Sequence, residues 1–216
     1  MKMIVSFIFV TVFSFSLMAQ EAGKGDKKSN AILDVMTAKT EAYKSIRVEF
    51  VYKMINVEAG IDESTDGVLL VMGNKYKLEI SGQIVFCDGE TLWTYIEDAE
   101  EVQVNSLEDS EESISPNKLL SSYNKDYRSK FIKEDFLYGT SVNIIDLTPL
   151  EGKSYYKVRL IIDKKKDQLL DFTIFDKNGS TYSYVINKFE SNGDVPEDEF
   201  TFKVSDYPDV DIIDMR

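Results

Sequence analysis

Residues 84–96, IVFCDGETLWTYI, contain two runs of apolar residues on either side of an Asp-Gly pair. Asp88-Gly89 is a dipeptide that tolerates the positive φ angles of a tight hairpin turn. Beyond the turn, Trp93 and Tyr95 are large aromatic residues of the kind that strands favour. The stretch therefore predicts a β-hairpin, and it raises the question of whether the flanking sequence continues as strands.

The flanking sequence alternates apolar and polar residues with a period of two, which is typical of half-buried strands. Gly73-Asn74 and Asn178-Gly179 add two further turn signals between such runs. We place strands at residues 45–54, 68–72, 75–80, 84–87, 91–96, 102–104, 141–147, 155–163, 168–175, 181–189 and 199–204.

Three other stretches have helical spacing. Residues 30–44 form an amphipathic pattern after Ser29, a residue suited to an N-cap. Ser115-Pro116 is a helix start, because Pro is favoured at the first helical position. A second helical stretch is predicted over residues 131–137. Strands and helices do not alternate as in a parallel α/β sheet. The fold class is therefore mainly β with a few helices: a curled, unclosed antiparallel β-barrel or half-barrel whose opening is covered by helices.

Composition excludes several kinds of site. The 216 residues include no His and one Cys. They include 25 Lys and Arg and 38 Asp and Glu, which gives a net charge of −13. Without His, the usual nucleophilic triads and His-ligated metals are excluded, and one Cys cannot form an intrachain disulfide or a Cys cluster. The acidic balance argues against nucleic acid as a partner. We predict no catalytic residue, no metal site and no cofactor.

The first nineteen residues differ from the rest of the chain. Lys2 is their only charge, an apolar run follows, and the segment ends at Ala19. This layout is typical of a secretory signal peptide cleaved near Ala19, with an uncleaved membrane anchor as the alternative. We predict a flexible leader over residues 20–28, which are rich in Gly and Lys, and one domain over residues 29–216.

Three features outside the hairpin have simple structural interpretations. The acidic run Glu97–Glu112 lacks the spacing and central Gly of a calcium-binding EF-hand, so a solvated loop is favoured. Lys164, Lys165 and Lys166 are predicted to form a solvated turn. Cys87 lies on a predicted strand with no basic residue beside it, so we expect a buried, unreactive thiol.

Aromatic residues recur on consecutive predicted strands. Any one of them could belong to an ordinary core. Together, in a curled sheet without catalytic residues, they favour an apolar pocket for a hydrophobic ligand.

The hairpin sequence DGETLWTY at residues 88–95 resembles the D-G-x-T-L-W-x-Y stretch of the LolA family, the periplasmic lipoprotein carriers of Gram-negative bacteria. Phe200-Thr201-Phe202 and Val48-Glu49-Phe50 resemble other family segments, and the order of elements agrees across residues 30–216. The resemblance implies an unclosed barrel with a helical lid, whose interior holds lipoprotein acyl chains. It implies the periplasm as location, an inner-membrane ABC exporter and an outer-membrane receptor as partners, and carriage as a monomer between the two membranes.

The resemblance also implies which residues form the site. Residues of the matching strands are predicted to line the acyl-chain cavity: Phe50, Tyr52, Tyr76, Leu78, Phe86, Trp93 and Tyr95. Residues of the predicted helix after Pro116 are expected to form the lid: Leu119, Leu120 and Tyr123. The family commonly has an Arg before its second aromatic strand that is thought to latch the lid. Lys75 stands near that place and is a weak substitute, because it lacks the planar guanidinium.

Two other functions are compatible with the sequence. One is a related barrel that binds other hydrophobic ligands or senses lipoproteins. The other is an exported hydrolase that uses paired carboxylates, which would require two acidic residues to face each other inside the cavity.

Overall fold

Alternating residues form a sheet of twelve strands in the computed structural model, which describes residues 25–107 and 125–216. One α-helix lies wholly within these residues, α1 (Lys27–Glu41). The strands are β1 (Ile46–Asn56), β2 (Ile61–Met72), β3 (Lys75–Ile80), β4 (Gln83–Cys87), β5 (Thr91–Ile96), β6 (Glu101–Ser106), β7 (Tyr127–Leu137), β8 (Thr140–Pro149), β9 (Tyr155–Asp163), β10 (Gln168–Asp176), β11 (Thr181–Ser191) and β12 (Asp211–Asp214).

The strand order is β12-β6-β5-β4-β3-β2-β1-β11-β10-β9-β8-β7, so the sheet does not close into a barrel. The predicted mainly β fold with an unclosed sheet is confirmed. One pair departs from the antiparallel prediction, because β12 runs parallel to β6. The chain reaches β12 only after crossing the sheet from β11, and it therefore meets the edge of β6 in the parallel direction.

The helix defines two faces of the sheet. Leu33 and Met36 of α1 are fully buried in one cluster with Ile145, Leu160 and Ile162 from the neighbouring strands. We call the face that contacts α1 the inner face and the opposite one the outer face. In-register partners on adjacent strands share a face, so the pairing assigns each strand residue to one of the two.

The start of α1 is fixed by Asp26 rather than by Ser29. The backbone N–H of Ser29 donates to Oδ1 of Asp26 at 2.8 Å, and the N–H of Phe131 on β7 donates to the other carboxylate oxygen. The Ser29 side chain is buried, and its hydroxyl lies 2.8 Å from that of Ser129. The predicted start at residue 30 is therefore wrong, and α1 begins within the predicted leader, residues 20–28.

We expect Asp26→Ala to lower the free energy of unfolding by about 1–2 kcal/mol at neutral pH, because it removes a helix cap and the acceptor for Phe131. Burial alone would raise the pKa of Asp26, but the hydrogen bonds from Ser29 and Phe131 outweigh it and lower the pKa. A lowered carboxyl pKa stabilises the fold above the unfolded value of about 3.9 and loses that effect as the pH falls through the folded value.

Urea denaturation at pH 7 and pH 3 tests this cap. The difference between wild type and Asp26→Ala should shrink at the lower pH. Glu41→Ala, at the exposed far end of α1, is the matched control and should change stability by less than about 0.5 kcal/mol. A pH-independent difference for Asp26→Ala would contradict the assignment.

Two predicted elements are wrong. Residues 131–137 belong to β7 and not to a helix: a bulge between Phe131 and Lys133 shifts the alternation, which makes the apolar spacing look helical. The predicted strand at 199–204 is instead replaced by two 3₁₀ turns, Glu197–Phe200 and Val204–Asp206. Phe200 and Phe202 in this segment are buried, so their apolar character reflects packing against the sheet and not strand pairing.

Other predictions agree with the structure. β3, β5 and β9 have the predicted bounds, and Lys164–Lys166 form the turn before β10. The signal segment, the Ser115-Pro116 helix start, the end of the acidic run and the predicted lid residues Leu119, Leu120 and Tyr123 lie outside the described residues. Within the described residues, no helix combines the length and apolar character needed to span a membrane.

Candidate functional site

Four of the seven predicted cavity residues share the inner face. Phe50 and Tyr52 of β1 pair with inner-face residues of β11, including Tyr184, a member of the α1 cluster. Tyr76 and Leu78 of β3 pair with residues of β2, and those β2 residues pair with inner-face residues of β1. Tyr76 and Leu78 therefore lie on the inner face as well. The structure therefore brings Phe50, Tyr52, Tyr76 and Leu78 to one surface.

The other three predicted residues lie on the outer face. Phe86 is opposite Lys77 and Trp93, and Tyr95 follows two residues after Trp93. These side chains pack under the C-terminal segment, with ring centroids 5.9 Å apart for Phe86 and Phe202. The structure does not bring Phe86, Trp93 and Tyr95 together with the other four predicted residues, because these three side chains pack beneath a second apolar layer on the outer face.

The inner face of β1–β6 is apolar and partly open. Its buried centre consists of residues from adjacent strands: Val71, Tyr76, Cys87 and Leu92. Half-buried apolar side chains surround that centre: Ile46, Leu69, Leu78, Val85 and Leu107. This cluster is separate from the one beneath α1, so the described helix fills the inner face at β7–β10 and leaves the β1–β6 part as the candidate binding surface.

An aromatic group separates the two parts of the inner face. The ring of Tyr184 lies 4.3 Å from Phe172, 5.2 Å from Tyr52 and 5.7 Å from Phe50, measured between centroids. The Phe50 ring lies over Gly67 on β2, where there is no room for a side chain: a Cβ at this position would be 2.4 Å from Cζ of Phe50. Gly67 therefore leaves the space that the Phe50 ring occupies against β2.

Formal charge on the inner face is scarce and negative. In the described strands β1–β6 and β11, the register places no Lys or Arg there, and the charged side chains are Glu63 and Glu101. Lys75 and Lys77 point to the outer face, where they form ion pairs with Glu197 and Glu199 of the C-terminal segment. Lys75 is thus directed away from the inner face and cannot substitute there for a lid-latching Arg.

Burial raises the pKa of several groups on the inner face. The pKa of Tyr76 rises to about 12, chiefly by burial, and that of Tyr184 also rises to about 12. Burial likewise raises the pKa of the Cys87 thiol. All three groups are therefore uncharged at neutral pH, as an apolar ligand surface requires.

Cys87 is fully buried, as the sequence predicts. Since only the thiolate reacts readily, burial and the raised pKa should both protect it. We expect a hydrophilic maleimide to label Cys87 at least about 100-fold more slowly in the folded chain than in urea, because labelling requires local opening. Mass spectrometry over time measures this rate, and rapid labelling of the folded chain would show that the β3–β5 surface is open to water.

Sequence reasoning missed several inner-face residues. Gly67, Tyr182 and Tyr184 were not predicted as site residues, although the period-two pattern of residues 181–186 places the two tyrosines on one face. Within the described residues, no group of three or more His, Cys, Asp or Glu side chains could hold a metal ion.

Comparison with known proteins relates this geometry to a family. The family model described as "Outer membrane lipoprotein carrier protein LolA" matches residues 41–203. An uncharacterized conserved protein from Thermus thermophilus is similar in structure, with a TM-score of 0.61, 11% identity, and coverage of 87% of this chain and 99% of that chain. The lipoprotein LppX from Mycobacterium tuberculosis has a TM-score of 0.50 and 16% identity, over 78% of this chain and 99% of its own. At such identities the structures share the fold alone. No curated protein sequence matches the chain significantly.

Proposed function

This chain belongs to the LolA family of outer membrane lipoprotein carrier proteins, and from that premise we propose that it is a periplasmic carrier of lipoproteins. It shelters their acyl chains on the inner face of β1–β6 and moves them from the inner to the outer membrane. The observation that carries this proposal is the continuous, partly open apolar surface formed by Leu69, Leu78, Val85 and their neighbours.

The surface suits the thermodynamic task. An acyl chain of about 15 methylenes costs about 12 kcal/mol to expose to water, at ~0.8 kcal/mol per CH₂. Non-directional contact with Leu, Val and aromatic side chains can offset this cost without precise polar contacts. Half-buried side chains such as Leu78 and Val85 leave room for a ligand to add contacts, which fully buried core residues could not do.

The proposal includes export and partners. The signal-peptide pattern of residues 1–19 supports delivery to the periplasm. Acylated lipoproteins are the proposed cargo, an inner-membrane ABC exporter the donor, and an outer-membrane receptor the acceptor, with the carrier acting as a monomer. We propose no catalysis: within the described strands β1–β6 and β11, the inner-face carboxylates Glu63 and Glu101 lie on β2 and β6, with three strands between them, unlike the facing pair that a glycosidase requires.

Native mass spectrometry of the chain lacking residues 1–19 tests cargo binding. We expect a one-to-one complex with a synthetic triacylated lipopeptide and none with the same peptide without acyl chains. Binding of free lipids but not of the lipopeptide would instead favour a carrier for other hydrophobic ligands. The absence of any complex would contradict the proposal.

A further inference from the structure

Three tyrosines occupy neighbouring positions at one end of the inner face. Tyr52 lies directly opposite Tyr184, and Tyr182, two residues before Tyr184, is opposite Met54. All three side chains are half-buried. They lie at the end of the sheet where the β1–β2 and β10–β11 hairpins turn, and Asn56 bridges these hairpins by donating to the Ser180 hydroxyl at 2.9 Å. The three phenol groups therefore lie beside Phe50, at the hairpin end of the inner face.

Their hydroxyl groups have no hydrogen-bond partner within the part of the chain that the structure describes. The contrast with the core beneath α1 is clear, since the hydroxyls of Tyr127 and Tyr155 lie 2.5 Å apart and bond to each other. Burial and the neighbouring phenols raise the pKa of Tyr184 to about 12. The hydroxyls are thus neutral donors without an acceptor among the described residues.

The charge around these tyrosines selects the kind of acceptor. Burial is the main cause of the raised pKa of Tyr52, with smaller contributions from Tyr182 and from the charge of Glu63, which is opposite Met54 on the same face. The formal charge beside these tyrosines on this face is therefore negative, and within the described strands β1–β6 and β11 no cation shares the face. A carboxylate or phosphate placed here would be repelled, and these described strands offer it no cationic partner.

We propose that the hydroxyls of Tyr52, Tyr182 and Tyr184 hydrogen bond to the uncharged ester carbonyl oxygens of an acylglycerol group, whose acyl chains lie on the apolar surface of β1–β6. Glu63 provides selectivity against ligands with an anionic end. The inference rests on the proposed function, because it assigns the polar end of the same bound lipid. It adds a specificity site: chain burial supplies affinity, and the tyrosines recognise the ester linkage.

Two ligands that differ only in this linkage test the site. Displacement of a fluorescent hydrophobic probe is measured with monooleoylglycerol and with its ether-linked analogue, which has the same chain but no carbonyl. We expect wild type to bind the ester about 5- to 10-fold more tightly, as one to two net hydrogen bonds allow. The variant Tyr52→Phe/Tyr182→Phe/Tyr184→Phe should lose that preference and bind the ester and the ether with equal affinity. Tyr95→Phe, on the outer face, is the control and should keep it.

The possible outcomes separate this inference from the proposed function. Equal affinity of wild type for ester and ether, or a preference that survives in the triple variant, overturns the tyrosine site and leaves lipid binding intact. Failure of both ligands to displace the probe contradicts lipid binding itself and the tyrosine site with it.

Oleate tests the role of Glu63 in the same displacement experiment. We expect oleate to bind at least about 10-fold more weakly than monooleoylglycerol, and Glu63→Gln should reduce this discrimination. Oleate binding as tight as the ester would refute the role of Glu63.

Discussion

Replacing Phe50 by Ala should lower the free energy of unfolding by about 3–5 kcal/mol, the range for large aromatic truncations in a core. Phe50 is 6% exposed, and its ring lies against Gly67 and 5.7 Å from the ring of Tyr184. Removal of the ring leaves a cavity where the part of the inner face filled by α1 meets the candidate binding surface. Urea denaturation followed by circular dichroism measures the loss.

A double-mutant cycle tests why the ring and Gly67 belong together. Gly67→Ala places a Cβ 2.4 Å from Phe50 Cζ and should cost about 1–3 kcal/mol by overpacking. In the Phe50→Ala background this cost should disappear, since the clashing atom is gone. Gly152→Ala, where a Cβ meets no atom within 4 Å, is the control. An equal cost for Gly67→Ala in both backgrounds would contradict the packing described for Phe50.

Val85→Asp is expected to reduce affinity for an acylated lipopeptide by about 100-fold, because it places an unpaired carboxylate on the apolar inner face. Its neighbour Ile84 offers a matched control. Both side chains are half-buried on β4, but Ile84 belongs to the outer-face cluster around Phe86. Ile84→Asp should destabilise the fold and leave the affinity of the folded protein within about threefold of wild type.

The comparison of these two variants assigns the binding face. Affinities are measured by titration at a temperature where both variants are folded, as checked by circular dichroism. Loss of binding in Ile84→Asp with retention in Val85→Asp would place the ligand on the outer face and reverse the interpretation. Equal losses in both would show that binding depends on overall stability and not on the lining of one face.

Strands bounded by clear turns could be predicted from the sequence. β3 and β5 follow the turns at Gly73-Asn74 and Asp88-Gly89, and their alternating residues have the predicted bounds. β7 could not be predicted in the same way, because the bulge after Phe131 changes the side to which later residues point. The cap at Asp26 was missed because this residue lies in a Gly- and Lys-rich stretch, where its bond to the distant Phe131 leaves no local signal.

The site was predictable only in part, for a related reason. Residues 84–87 are all apolar, so periodicity cannot say which of them face inward. Phe86 points outward because the turns at Glu197–Phe200 and Val204–Asp206 bring Phe202 and Tyr207 over that face. Such a covering segment depends on contacts more than 100 residues apart in sequence, which single-strand patterns do not contain. The aromatic residues of the strands therefore lie on both faces of the sheet. Those on the inner face belong to the candidate binding surface, and those on the outer face pack under the C-terminal segment.

Site-specific photo-crosslinking in cells tests the central claim most directly. A photoreactive amino acid replaces Leu78 on the inner face or, in a second variant, Glu79 beside it on the outer face of β3. Cells are labelled with an alkyne-tagged fatty acid that enters lipoproteins. The account predicts a crosslinked product that carries the tagged acyl chains and a lipoprotein at Leu78, and none at Glu79. A tagged product at Glu79 without one at Leu78, or crosslinks that contain no lipoprotein at either position, would contradict it.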